Sequence, residues 1–185
     1  LGLSRSAGLF FVSAGQINFL VPAGTATRNA SVQVNVNGTA VADGVIAITT
    51  TAPSLFAANA SGQGVAAAVV LRVKADGTQI FEPATRFDTT TNTFVPVPID
   101  FGVATDRIFL LLYGGGIRGR SALGAVSVKA GDVDAPVSYA GPADGFAGLD
   151  QINTELSRSL IGRGQVTVNL TVDGRAANAV TVTIK

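Results

Sequence analysis

The chain has 185 residues, 13 Lys and Arg against 12 Asp and Glu, a formal net charge of +1, and no Cys, His, Met or Trp. That composition removes thiolate nucleophiles, imidazole bases, disulfide frameworks and the usual zinc and haem ligand sets, so a Ser-His-Asp site is impossible within this chain. The near-neutral balance points to neither nucleic acid nor an anionic membrane.

Taken in order, the residues follow a period of two. Gly8 to Val12 is the first apolar run. Between Ser31 and Asn37, Val32, Val34 and Val36 alternate with polar residues, giving one buried and one wet face. Asn37-Gly38 tolerates the positive φ of a type I′ turn, and the chain returns through residues 41–48. Further strands are predicted at residues 64–74, 79–82, 93–100, 107–113, 125–129 and 136–139, with a turn at Ala75-Asp76-Gly77 and a polar tip over residues 88–93. Residues 153–160 have room for one short helical turn. Near the end, Val166, Val168, Leu170 and Val172 alternate with polar residues, Asp173-Gly174 turns, and Val180, Val182 and Ile184 close a second hairpin.

The two hairpin regions form an internal repeat. Gln16-Ile17-Asn18 matches Gln151-Ile152-Asn153, and Val32, Val34, Val36, Asn37 and Gly38 match Val168, Leu170, Val172, Asp173 and Gly174, with a one-residue length change between the blocks. Thr49 to Pro53 breaks the strand pattern and reads as a linker. The expectation is an all-β chain of two immunoglobulin-like β-sandwich modules in tandem, residues 1–50 and 51–185. A sandwich of this kind takes about seven strands and about 100 residues, so the first module is one or two strands short.

Only 14% of residues are charged, 47% are hydrophobic and 22 are Gly; a soluble domain ordinarily carries about 25% charge. This composition is that of a packed chain and not a disordered one. The longest apolar runs, residues 65–71 and 108–113, fall far short of the ~20 residues of a membrane-spanning helix. A first residue other than Met and the lack of Cys lead to the expectation of a processed, exported protein.

Residues 107–120, with Tyr113-Gly114-Gly115-Gly116, residues 135–141, residues 148–153, residues 11–22 and residues 52–56 together resemble the C-terminal β-domain of many large secreted acidobacterial proteins, the Solibacter-type domain. The resemblance runs across essentially the whole chain. Members usually carry further strands upstream of the position of Leu1. The resemblance implies an exported, non-catalytic, surface-associated role, with no catalytic residue to carry over.

Gly114 to Gly119 formally fits G-x-G-x-x-G after an apolar strand, but a dinucleotide loop needs a following helix, and residues 121–129 read as loop and strand. A Gly-rich turn for close backbone packing is the expectation. Glu82 and Glu155 are the only glutamates and nothing in the sequence pairs them for glycosidase work. Asp132 and Asp134 are too few for a calcium loop. Lys74 or Lys129 could donate an intramolecular Lys-Asn amide bond. Gln16, Asn18, Gln151 and Asn153 are read as amides that satisfy backbone groups at strand-loop junctions, ahead of ligand contact. No catalytic, cofactor-binding or metal-binding residue is assigned.

The functional expectation is a non-enzymatic, secreted subunit of an extracellular assembly or filament, formed by head-to-tail β-strand addition. The candidate donor strands are residues 1–12 and 179–185. The alternative is an adhesive or carbohydrate-binding module of a larger surface protein, using loops 140–150 and 88–94. With two Tyr and no Trp, it lacks the usual sugar-stacking platforms.

Overall fold

The computed structural model describes residues 3–185, and the chain divides between Thr50 and Thr51 into two units. Among the described residues all regular structure is β apart from two three-residue 3₁₀ turns, Leu123–Ala125 and Arg158–Leu160. Among the described residues no helix is long and apolar enough to cross a membrane.

The first unit holds β1 (Gly8–Val12), β2 (Ile17–Leu20), β3 (Asn29–Val36) and β4 (Thr39–Ala47). They form two separate antiparallel hairpins, β1-β2 and β3-β4. Asn37 and Gly38 have φ of 52° and 82°, as the Asn-Gly pair predicts for a type I′ turn. None of the described residues before Thr51 is buried.

The second unit contains β5 (Ser54–Leu55), β6 (Ala68–Val73), β7 (Gln79–Pro83), β8 (Thr85–Asp88), β9 (Thr93–Pro96), β10 (Arg107–Gly115), β11 (Val126–Ala130), β12 (Val133–Ala135), β13 (Val137–Pro142), β14 (Asp150–Leu156), β15 (Gly164–Val172), β16 (Arg175–Ala176) and β17 (Val180–Ile184). One sheet has the order β13-β14-β10-β6-β7, with β5 also on β10. The other has the order β12-β11-β15, and both β16 and β17 pair with the far edge of β15. Alternate residues of the central strands, among them Leu110, Leu112, Ile152, Val168, Leu170 and Val180, build one core between these sheets. β8 and β9 form a separate hairpin, its Phe87 and Phe94 rings edge to face at 5.3 Å.

Two details organise this sandwich-like arrangement. Pro136 separates β12 from β13, so one run of chain leaves the first-mentioned partner β11 and joins β14 in the opposite sheet. Proline suits that point because it withholds an N–H where ladder pairing changes sheet. Thr154, fully buried, donates its hydroxyl to the Ala135 carbonyl at 2.7 Å, with the Pro136 carbonyl, which accepts from the Glu155 N–H, 3.1 Å away. At the other side, β17 is flanked by parallel bridges to Val65 and Ile99 as well as by β15.

Three expectations change. Residues 153–156 belong to β14, and only Arg158–Leu160 makes a helical turn. The expected linker does not extend past Thr50: Thr51 is 1% exposed and the Ala52 N–H donates to the Gly116 carbonyl. The C-terminal strand, expected as a donor, is an interior strand of its own unit, with Val180, Val182 and Ile184 all buried. Of the N-terminal donor stretch, Leu1 and Gly2 lie outside the described residues.

Candidate assembly surface

The Gly-rich turn is a packing device. β5 pairs with Gly114 and Gly115 so closely that a Cβ on Gly114 would stand 2.0 Å from the Ser54 carbonyl oxygen. Gly116, at φ +72°, lies against the Ala52 carbonyl in the same way. The amides that a phosphate would require are already engaged: Ile117 N–H and Arg118 N–H donate to one oxygen of the Asp150 carboxylate at 2.7 and 3.2 Å, and Arg118 Nε donates to the other at 2.6 Å. Asp150 is fully buried on β14, so this loop closes on an internal anion. The sequence motif gave no sign of Asp150, which lies far along the chain.

The remaining charges pair locally. Arg72, 7% exposed, binds Glu82 at 2.7 Å, Asp106 at 3.1 Å and the Asp100 carbonyl at 2.7 Å. Donating to the Glu82 carboxylate raises its already high pKa. Arg158 donates to the carbonyls of Phe101, Gly102 and Val103, and Lys185 to Asp100 at 2.8 Å, so residues 100–106 are tied down by three cationic side chains. An open cleft of about 450 Å³ beside them is lined by Asp106, Arg107, Asp134, Glu155 and Arg158 among others. Its charges are spent on neighbours: Arg107 clamps Glu155 through two bonds of 2.9 and 2.7 Å, which holds the Glu155 carboxyl below its ordinary range.

Asp132 and Asp134 bind separate cations, Arg163 and Lys129, and no group of three or more candidate metal-ligating side chains occurs among the described residues. Lys74 and Lys129 are both exposed, unlike the shielded lysine an internal amide bond needs. The loop tip at residues 88–93 joins β8 to β9, and loop 143–149 carries Phe146 at 66% exposure.

The repeated amides have a different role from the one expected. Gln16 Nε2 donates to Asn18 Oδ1 at 2.7 Å, and Gln151 Nε2 donates to Asn153 Oδ1 at the same distance. Both pairs bond side chain to side chain, the second within β14 and the first across the start of β2. The surrounding register repeats too. Phe11 faces Asn18 and Val12 faces Ile17, as Tyr139 faces Asn153 and Ala140 faces Ile152, each with one irregularity just upstream. Ala30 faces Ile46 and Val32 faces Gly44, as Val166 faces Val182 and Val168 faces Val180. The first unit therefore repeats β13-β14 as β1-β2, and β15 with β16 and β17 as β3-β4.

What it does not repeat is their neighbours. β14 also pairs with β10, and β15 also pairs with β11; β2 and β3 each have only one hairpin partner among the described strands. The consequence is read in matched residues. Ala140 is 0% exposed and its equivalent Val12 is 60%; Val172 is 0% and its equivalent Val36 is 52%. With Leu9, Phe10, Phe11, Val41 and Val45 also exposed, the first unit presents far more apolar surface than a soluble unit of four strands ordinarily leaves in water. This pair of hairpins, with its two unpaired inner edges, is the candidate functional surface. Comparison of the chain with protein-family models, with curated proteins and with solved structures found no match.

Proposed function

We propose that this chain is a non-enzymatic structural protein, the subunit of an extracellular surface assembly, and that its first unit is completed by β-strand addition from a neighbouring copy. The observation that carries the reading is the matched pair of hairpins: the same registers that enclose a core in the second unit lie open in the first. Two-stranded hairpins are marginal in water on their own, so these strands need neighbours to be stable. Both units are read here as immunoglobulin-like, the second whole and the first as its C-terminal half. A single donated strand would repair one sheet only, because β10 and β11, the neighbours without counterparts, belong to different sheets.

Export to the cell surface and kinship with the secreted acidobacterial β-domains belong to the same proposal. They rest on the cysteine-free, low-charge composition and on the ordered motifs of the sequence. The test is light scattering with negative-stain electron microscopy on protein kept from denaturant. Regular oligomers or fibres are expected; a uniform monomer across the concentration range would refute the reading. An adhesive module is the second reading, favoured by the exposed Phe146 on loop 143–149.

A further inference from the structure

We infer that the first units of two copies complete each other about a two-fold axis, each contributing both hairpins to one shared sandwich. The inference rests on the assembly reading above and supplies its geometry.

Because β12 and β13 are joined through Pro136, the two sheets of the complete unit begin at a common side, and the order β12-β11-β15-β17 lies over β13-β14-β10-β6. At the opposite side, the Val65 to Thr181 bridge brings the segment leading into β6 against β17. β10 therefore flanks β14 on the β6 side, whereas β11 flanks β15 on the β12 side. Carried over to the first unit, β2 and β3 turn their unpaired edges in opposite directions. Hairpin β1-β2 and hairpin β3-β4 occupy diagonal quarters of a sandwich, each facing a quarter with no strand in it. The lack of any buried residue among the described part of the first unit agrees with this placement.

A diagonal half is its own complement. Rotation by a half turn about an axis normal to the sheets, passing between the two inner edges, sets β2 beside β2 of the second copy and β3 beside β3 of the second copy. The result is one sheet ordered β1-β2-β2-β1 and another ordered β4-β3-β3-β4, with every hairpin covered by the opposite hairpin of the other molecule. Such an isologous contact requires an edge that matches itself. β3 does: centred on Gln33, antiparallel self-pairing sets Val32 opposite Val34, Ala30 opposite Val36 and Ser31 opposite Asn35, apolar against apolar and polar against polar.

The edges themselves favour a second copy as the occupant. β2 and β3 contain no charged residue and no proline. Four outer strands of the second unit carry such a block, Glu82 and Pro83 on β7, Asp134 on β12, Pro142 on β13 and Arg175 on β16, while β17, which has none, is flanked instead by the bridges to Val65 and Ile99. Proteins place charges and proline on edges that must not pair, and leave them off edges that do. Arg5, Arg28 and Asp43 are the only charges up to Thr50, so two first units meet without a strong repulsive field. A specific interface uses about 20–30 residues a side, which four whole strands provide.

The test exploits the lack of cysteine. Gln33→Cys places one thiol on the exposed face at the two-fold, where opposed Cα atoms lie about 4.5–5.5 Å apart, inside disulfide range. In the full chain, light scattering should give twice the chain mass, and mild oxidation should cross-link Gln33→Cys chains in pairs. Asn169→Cys, the equivalent position in the second unit, already faces Lys129 across β11 and should not cross-link. Gln33→Lys sets two ammonium groups face to face and should weaken pairing by about tenfold or more. Polymers in which Gln33→Cys does not cross-link would overturn the two-fold while leaving the assembly reading in place. A chain that stays monomeric at every concentration would overturn both.

Discussion

Replacing Asp150 by alanine tests whether the Gly-rich turn is held by its internal anion. The substitution removes three hydrogen bonds to a charged acceptor. Ile117 is 0% exposed, so its N–H cannot turn to water and stays unsatisfied, at a cost of about 1–3 kcal/mol. The Arg118 N–H, bonded at 3.2 Å, adds about 1 kcal/mol. The Arg118 side chain is 40% exposed and regains water, so its ion pair contributes less than about 1 kcal/mol. The expected loss is about 2–5 kcal/mol, or about 6–15 °C in the melting temperature of a unit of this size. Asp150→Asn keeps one acceptor for Ile117 and should lose less than half as much. Calorimetry and urea titration would read both. An Asp150→Ala chain within about 1 kcal/mol of the parent would refute the account of the turn.

Other consequences are open to measurement. Gly114→Ala drives a Cβ into the Ser54 carbonyl and should cost about 3 kcal/mol or more, whereas Gly115→Ala meets nothing closer than the Ser54 hydroxyl at 3.7 Å and should stay within about 1 kcal/mol; equal effects would contradict the close approach of β5. Glu155 has its pKa lowered by Arg107, so its stabilising effect is complete above the ordinary carboxylate range and is lost as pH falls through the lowered folded value. Acid titration should therefore show the second unit weakening below about pH 4.5, with a shallower slope in Glu155→Gln; an unchanged slope would remove the Arg107 clamp from the explanation. Asn178→Ala breaks three bonds, to Leu55 N–H, Leu55 carbonyl and Gly62 carbonyl, and should cost about 1–3 kcal/mol by urea titration; no loss would mean that β5 is held by its pairing to β10 alone.

The hairpins were legible because their turns and alternation are local. Asn37-Gly38 and Asp173-Gly174 adopt the positive φ their chemistry favours, and the valines around them keep strict period two. β14 was hidden because its inward positions include Asp150 and Thr154 beside Ile152 and Leu156, so polar residues occupy both faces. Each is polar for a distant reason, Asp150 for the Gly-rich turn and Thr154 for the sheet change at Pro136. Arg72 likewise interrupts an apolar run because Glu82 and Asp106 wait for it. The repeat showed that the first module was short of strands. Which neighbours it wanted became readable only from the pairing of β14 and β15 in the complete unit.

The position of β17 sets an order of events for making this protein. Its ladder with β15 and its parallel bridges to Val65 and Ile99 join this strand to segments from the start and middle of the second unit. Those contacts cannot form until residues 180–184 have been synthesised, and their long sequence separations make folding slow. Until then Val65, Ile99 and the β15 edge stay unsealed. The aggregation-prone interval of the second unit is therefore the time before β17 arrives.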